Sequence, residues 1–298
     1  MPRLDWAAIM GGVGMKRWLI GLFCLLLAGT ALAGSLKDVR ERVQASMLVT
    51  GSILVAPDGT VSSYTIDHPE KLPPVVVGLI DKGTKSWIFA PTLIGDQPVA
   101  ARANMSLRIV AKPDGKDDYA ISLEGAQFGK DADVDQGKTV DYGTRPQPRY
   151  PPSAISAGVW GTVYVRALVN RQGRVENAIA EQVNMGVVAS DQELGKWRRV
   201  LGDASLAAVK RWTFQTPTEG EEATKDYWEV RVPVNYILDG RTPRERYGKW
   251  DPYVPGPEQA VPWQQKSEGS SGAADAIADG GLYQIGSGLH LTTPLNGA

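Results

Sequence analysis

The sequence has little of the side-chain chemistry that most enzymes and metalloproteins need. Its 298 residues include a single cysteine, Cys24, and two histidines, His68 and His290. The two histidines form no HExxH motif, and removal of the N-terminal segment that carries Cys24, predicted below, also excludes a Cys–His pair and a clustered zinc site. Residues 131–137 are similar to a calcium loop, but the glycine falls one place late and Tyr142 stands where such a loop ends in glutamate. We predict no catalytic residues, no metal and no cofactor.

A surplus of charge is also absent, and long apolar runs are few. Lys and Arg number 32 against 33 Asp and Glu, whereas a nucleic-acid-binding protein usually has a basic excess. The one long apolar run, residues 18–28, follows two basic residues and leads to small residues ending at Ala33. This is the layout of a secretory signal, and the run is too short to span a bilayer as a helix. We predict a cleaved signal at 1–33 and a periplasmic protein, with an uncleaved inner-membrane anchor as the alternative.

A pattern that predicts a β-hairpin occurs twice in the rest of the chain. The first copy, TGSILVAPDGTVSSYTI, starts at Thr50, and the second, WGTVYVRALVNRQGRVENAI, starts at Trp160. In each, two runs of alternating apolar and polar residues flank a turn that ends in glycine, Gly59 or Gly173. Glycine suits such a turn because it adopts positive φ without steric cost.

Each hairpin is followed by the same further elements. The first copy predicts a helix that opens at Pro73 or Pro74, and the second predicts a helix capped by Asp203. Then come matching runs, WIFAP from Trp87 and WTFQTP from Trp212, whose tryptophans we expect to be core residues. A third strand closes each copy, at residues 99–110 and 227–238.

The repeat predicts an α+β protein with two tandem small domains, each a three-stranded antiparallel sheet with helices packed on one face. The predicted boundaries are a signal peptide at 1–33, a divergent repeat at 35–124, a linker at 125–144, a second domain at 145–239 and a tail at 240–298. The tail is rich in Pro, Gly and Ser, which predicts a mostly unstructured segment. Two short apolar runs around a Gly-Ser-Gly turn, within residues 282–291, could form a docked hairpin.

The second copy resembles a known family. QPRYPPSAISAGVWGTVYVRALVNRQGRVENA from Gln147, the later AVKRWTFQTP and the strand WEVRVPVNYIL are similar to the C-terminal domain of TonB, the periplasmic energy transducer. The first copy resembles the same domain more weakly, because it lacks the Tyr-Pro lead-in. The resemblance implies that a short extended segment of an outer-membrane receptor, or of another envelope protein, adds as a strand to the sheet edge. The implied contact residues are the lead-in, Gln147, Pro148, Arg149 and Tyr150, and the closing strand, Val230, Arg231, Val232, Val234, Asn235 and Tyr236.

Two further observations bear on the binding surface. Pro233 has no N–H group, which is typical of an edge strand. Tyr164 and Arg166 lie on the outward face of the first strand of the second copy, and this pair of residue types is enriched at interfaces.

These patterns favour a non-catalytic periplasmic binding module in envelope transport. A true energy transducer is the runner-up, with inner-membrane motor partners only if the N-terminal run stays in the membrane. However, the first predicted unit begins within about ten residues of the cleavage site, which leaves no long spacer. A third alternative is a purely structural protein whose sheet edges are already covered.

Overall fold

The computed structural model describes residues 42–114, 118–130, 137–240, 242–263 and 273–295. The predicted signal peptide lies outside them. The strands of this part of the chain are β1 (Gln44–Val55), β2 (Val61–Ile66), β3 (Thr92–Ile94), β4 (Gln97–Val99), β5 (Ala101–Pro113), β6 (Tyr119–Lys130), β7 (Asp141–Tyr142), β8 (Gly161–Asn170), β9 (Val175–Met185), β10 (Phe214–Gln215), β11 (Tyr227–Tyr236), β12 (Asp251–Tyr253) and β13 (Tyr283–Gln284). The helices are α1 (Pro74–Thr84), α2 (Pro152–Ser156), α3 (Asp191–Val209) and α4 (Pro243–Arg246), and two single 3-10 turns cover Pro69–Lys71 and Glu221–Thr224.

The strands form two main antiparallel sheets, so the protein is α+β as predicted. The first sheet has the order β12-β1-β5-β6, with β2 also paired to β1, and the second has the order β13-β11-β8-β9. Each is larger than the three-stranded sheet that the sequence predicted. The first gains β6, and both gain a short strand from the segment predicted to be a tail.

The two repeat segments have the same connectivity. In each, the first hairpin strand is central and pairs both with its hairpin partner and with the strand that follows the helix, giving β2-β1-β5 and β9-β8-β11. The turn glycines, Gly59 and Gly173, have φ of 87° and 72°. Their carbonyls accept hydrogen bonds from the N–H groups of Phe89 and Phe214, at 2.8 and 2.7 Å. A Cβ atom at Gly173 would lie 1.9 Å from the Phe214 oxygen, so this turn requires glycine for both its conformation and its close backbone contact.

Each segment buries its own core between the helix and one face of the sheet. Trp87 and Trp212, predicted as core residues, are 1% and 3% exposed. Helix α1 begins at Pro74 as predicted and buries Val76 and Ile80.

The helix of the second segment starts earlier than predicted. It begins after Ser190, whose hydroxyl accepts from the Glu193 N–H while the Glu193 carboxylate accepts from the Ser190 N–H. This capping box satisfies two backbone donors at once. Asp203, the predicted cap, lies inside the helix, so that prediction was wrong.

The boundaries expected for the linker and the tail also differ from the structure. Residues 125–130, expected to be linker, belong to β6. The tail was expected to be mostly unstructured, yet Ala274, Ala276 and Ile277 are buried and β12 and β13 pair with the two sheets. The tail packs because each short apolar segment finds a surface on a folded sheet, which the composition of the tail alone does not reveal.

The two apolar runs in residues 282–291 do not pair with each other. The first forms β13 on the second sheet, whereas the N–H of Leu289 donates to the Phe128 carbonyl and Leu291 bridges to Phe89, both in the first segment. The tail therefore links the two sheets.

Candidate functional site

The candidate site is the second sheet from its lead-in to the outer edge of β11, the edge that faces away from β8. Alternate side chains of β11 point into the core, and Val230, Val232, Val234 and Tyr236 are at most 2% exposed. The Tyr236 hydroxyl lies 3.1 Å from the Ser205 hydroxyl. The side chains of these four predicted contact residues are therefore not accessible to a partner.

The opposite face of the second sheet carries a buried ionic network. Arg166 and Arg231 lie directly opposite each other on β8 and β11 and are each 1% exposed. Like charges in that position repel. Glu181 on β9 accepts from Arg231 at Nε (2.6 Å) and at a terminal nitrogen (2.7 Å), and Glu229 accepts from the Arg166 Nε at 2.6 Å. The two carboxylates thus offset the repulsion between the arginines.

Tyr164 lies on the same face and is 4% exposed. Burial raises the pKa of its phenol, while the nearby Arg108 acts in the opposite direction. The sequence placed Tyr164 and Arg166 on this outward face, and the structure does so too. It also buries both, so neither side chain is accessible as an interface residue in this conformation.

The lead-in is held at both ends and exposed between them. The indole N–H of Trp212 donates to the Pro146 carbonyl at 2.9 Å, and the Tyr150 hydroxyl donates to the Val159 carbonyl at 2.8 Å. Gln147 and Arg149 are exposed, and Pro148 is half-buried. Gln147 and Arg149 are thus the predicted contact residues whose side chains are accessible.

The outer edge of β11 has a defined set of backbone groups. The N–H of Ile285 donates to the Glu229 carbonyl at 2.8 Å. In an antiparallel strand both polar groups of one residue point to the same side, and those of the next residue point to the other. The outer series is therefore Glu229, Arg231, Pro233 and Asn235. Pro233 places its missing N–H on this outer side, as in an edge strand.

The tail covers part of this edge. Val230 and Arg231 pair with Gln284 and Tyr283. The side chain of Gln284 is 4% exposed, accepts from the Val140 N–H at 2.8 Å and donates to Glu222 at 2.7 Å. Both ends of this buried amide are therefore satisfied, which fixes β13 in its register.

Further along the edge, side chains rather than paired backbone groups connect the tail to β11. Asn235 donates to the Asp279 carboxylate at 2.8 Å, and Arg246 also donates to Asp279. The Tyr142 hydroxyl donates to the Gly281 carbonyl at 2.7 Å. The ladder between β13 and β11 thus ends before Pro233, and the backbone of Asn235 has a side-chain contact beside it rather than a paired strand.

The opposite edge of the second sheet is covered as well. Met185 and Val254 exchange two backbone hydrogen bonds, at 2.7 and 3.0 Å, and the N–H of Gln259 donates to the Glu181 carbonyl at 2.7 Å. Sequence reasoning missed the residues of the tail that take part in these contacts, Gln284 and Asp279 above all. The apolar runs in residues 282–291 were a signal that pointed to a docked tail.

Metal-ligating side chains do not cluster in the part of the chain that the structure describes. No group of three or more His, Cys, Asp or Glu side chains among them is arranged to hold a metal ion. The segment similar to a calcium loop lies outside them except for Gly137. No helix in the same part of the chain is both long and apolar enough to cross a bilayer.

Comparison with known proteins identifies the second segment. Residues 146–238 match the family model described as the Gram-negative bacterial TonB protein C-terminal. The chain is similar to "Protein TonB" of Xanthomonas campestris pv. campestris (strain B100), with 32% identity over 108 residues, 35% of this chain and 42% of that protein. It is also similar to "Protein tonB2" of Pseudomonas aeruginosa, with 35% identity over 98 residues, 33% of this chain and 31% of that protein.

These matches support the family that the motifs indicated for the second segment. Residues 146–238 form a domain of the TonB C-terminal family. The chain spans less than half the length of the two relatives. No solved structure gives a significant match to the chain.

Proposed function

We propose that this protein is a non-catalytic, periplasmic binding module of cell-envelope transport. In this proposal its TonB C-terminal domain receives an extended segment of an outer-membrane receptor, or of another envelope protein, at the outer edge of β11. The contact residues are the backbone of Glu229 to Asn235 and the exposed lead-in around Gln147 and Arg149.

One observation carries this proposal: an extended segment already occupies part of the edge. Strand β13 sits there through backbone pairing with Val230 and Arg231 and a bond to the Glu229 carbonyl. The core-facing side chains of β11 are buried, so this edge recognises a strand through its backbone, which is how strand addition works. A partner segment would take the place of β13 and could extend the pairing toward Asn235.

Displacement of the tail breaks the short β13 ladder and the two hydrogen bonds of the Gln284 side chain. The ladder of β13 covers two residue pairs, and a typical hydrogen bond contributes about 1 kcal/mol net. A partner strand that reaches Asn235 gains further backbone bonds, although Pro233 supplies none through its nitrogen. A longer segment can therefore compete with the tail.

The purely structural alternative is favoured by the covered edges described above. Substitutions at Ile285 separate it from the proposal, because the N–H of this residue holds the tail on Glu229. Proline at Ile285 removes that N–H without changing the TonB-like domain, and Ile285→Ala, which keeps it, is the matched control. The readout is fluorescence anisotropy of labelled peptides that cover the periplasmic N-terminal segments of the host's outer-membrane receptors.

We expect Ile285→Pro to bind a receptor peptide about fivefold more tightly than Ile285→Ala, because one hydrogen bond of about 1 kcal/mol no longer holds the tail. Asn235→Pro should weaken binding relative to Asn235→Ala, since proline removes one outward N–H as Pro233 does already. Equal binding by all variants, or binding by none, would contradict strand exchange and favour the structural role.

The state of the N-terminus separates the periplasmic module from the energy transducer. We expect mass spectrometry of the protein from the envelope fraction to find a chain that begins after Ala33. A chain that retains residues 16–33 and fractionates with the inner membrane would favour the transducer.

A further inference from the structure

The outward faces of the two sheets line an open cavity of about 600 Å³. Its walls come from β1 and β5 of the first sheet, from β8 and β9 of the second, and from the tail around Arg246 and Asp279. Cavities of roughly 300–1,000 Å³ are typical of small-molecule sites. Neither repeat segment contains this cavity by itself, because its walls belong to both.

Two of the arginines that line the cavity carry a buried donor without an acceptor. The Nε atoms of Arg108 and Arg246 have no hydrogen-bond partner. Arg108 is 8% exposed, forms an ion pair with Asp275 at 3.4 Å, and contacts both the ring of Tyr253, at 4.9 Å, and its hydroxyl. A buried donor that lacks an acceptor is destabilising and needs an explanation, such as a bound water or ion.

The carboxylates that line the cavity have partners. Asp279 accepts from Asn235 and Arg246, Asp251 lies 3.9 Å from Arg246, and Asp67 accepts from Thr50 at 2.6 Å. Arg244 and Lys249 add two exposed cations to the lining. The unmatched hydrogen-bonding capacity is therefore that of cationic donors, and an anion is its complement.

Apolar and aromatic side chains also line the cavity. It includes Leu48, Ile66, Trp160, Tyr247 and Ile277. A fully hydrated anion such as acetate would leave these side chains uncovered, whereas a molecule with an apolar body would bury them.

A strained backbone lies at the same place. His68 lines the cavity with φ 47° and ψ 51°, the one positive φ of a non-glycine residue in the described ranges. Residues held in this region tend to cluster at functional sites.

We propose that this cavity binds a small amphipathic anion, a carboxylate with an apolar chain, whose oxygens accept from the guanidinium groups of Arg108 and Arg246. The ligand lies between the two sheets, whereas strand addition takes place at the outer edge of β11, and Asp279 contacts both places. Leu48 lies directly opposite Arg108 across β1 and β5 on the cavity face, and it therefore marks where the apolar chain meets the charged group.

The test uses the full chain and isothermal titration calorimetry with decanoate as the probe. Decyltrimethylammonium has a chain of the same length with the opposite charge, and acetate has the carboxylate without the chain. We expect one decanoate to bind per chain and neither of the other two to bind measurably. Arg108→Met should weaken decanoate at least tenfold.

Leu48→Trp provides a test that leaves every charge in place. The indole fills the cavity beside Arg108, so decanoate binding should be lost. The matched control is Leu54→Trp, because Leu54 lies on the same face of β1 and also opposite an arginine, Arg102, but outside the cavity. It should bind decanoate as the unmodified chain does.

Three outcomes would overturn the proposal. The first is no binding of decanoate at millimolar concentration, which would leave water as the partner of the two donors. The second is binding of decyltrimethylammonium as tightly as decanoate. The third is equal binding of decanoate by the Leu48→Trp and Leu54→Trp variants.

Discussion

Glutamine in place of Glu181 would leave two buried guanidinium groups with one carboxylate fewer. The Glu181 side chain is 3% exposed, accepts twice from Arg231 and lies 3.5 Å from Arg166. Removal of one partner from a buried ion pair costs about 3–5 kcal/mol, because the charge that is left stays desolvated. With a urea m value of about 2 kcal/mol/M, a loss of about 4 kcal/mol lowers the unfolding midpoint by about 2 M.

The assay is urea unfolding followed by tryptophan fluorescence. Asp226→Asn is the control, because it breaks the Arg171–Asp226 pair, whose side chains are 52% and 76% exposed. An exposed pair contributes about 1 kcal/mol or less. A second variant replaces both partners, Glu181→Leu with Arg231→Met, and should recover most of the lost stability because no buried charge of that pair is left alone. Equal midpoints for Glu181→Gln and Asp226→Asn would refute the reasoning.

Three other outcomes are expected. Gly173→Ala should destabilise the folded protein by several kcal/mol more than Gly158→Ala, as measured by thermal unfolding. Both glycines have positive φ, but of the two only Gly173 would place a Cβ against a backbone oxygen, at 1.9 Å. Equal losses of stability would contradict the close contact. Trp87→Phe removes the hydrogen bond from the indole N–H to the Leu295 carbonyl. Amide hydrogen exchange of residues 289–295 should then become about fivefold faster. Unchanged exchange would mean that this bond does not hold the tail. Burial is the main cause, and the nearby Tyr236 the second cause, that raises the pKa of Tyr150 from 10.0 to about 12. Between pH 10 and about 12 the folded state therefore keeps a proton that the unfolded state loses, so the stability of the fold decreases as the pH rises. Tyr150→Phe should make this decrease of stability with pH less steep in chemical denaturation measured at a series of pH values. An unchanged decrease would assign it to other groups.

The sequence alone determined the local features of both segments. The turns at Gly59 and Gly173 and the start of α1 at Pro74 follow from residues whose backbone preferences act over a few positions. The alternation in β8 predicted which of its side chains face a core, and the motifs around Tyr150, Gly173 and Trp212 were sufficient to indicate the TonB C-terminal family.

Other features depended on contacts between distant parts of the chain. The start of α3 was missed because Asp203 and Ser190 are both acceptable caps in isolation, and the capping box with Glu193 together with packing selects Ser190. Strand β6 was missed because a polar, glycine-containing segment joins a sheet when a neighbouring strand, here β5, offers it backbone partners.

The tertiary structure also decided what surrounds the candidate site. Whether the edge of β11 is open depends on Gln284, a residue 54 positions after Val230 in the sequence. The burial of Arg166 and Arg231 and the cavity beside Arg108 also depend on segments that are distant in the sequence. Periodicity and local propensity report only on near neighbours, whereas the burial of a side chain or an edge is set by whichever segment the folded chain brings against it.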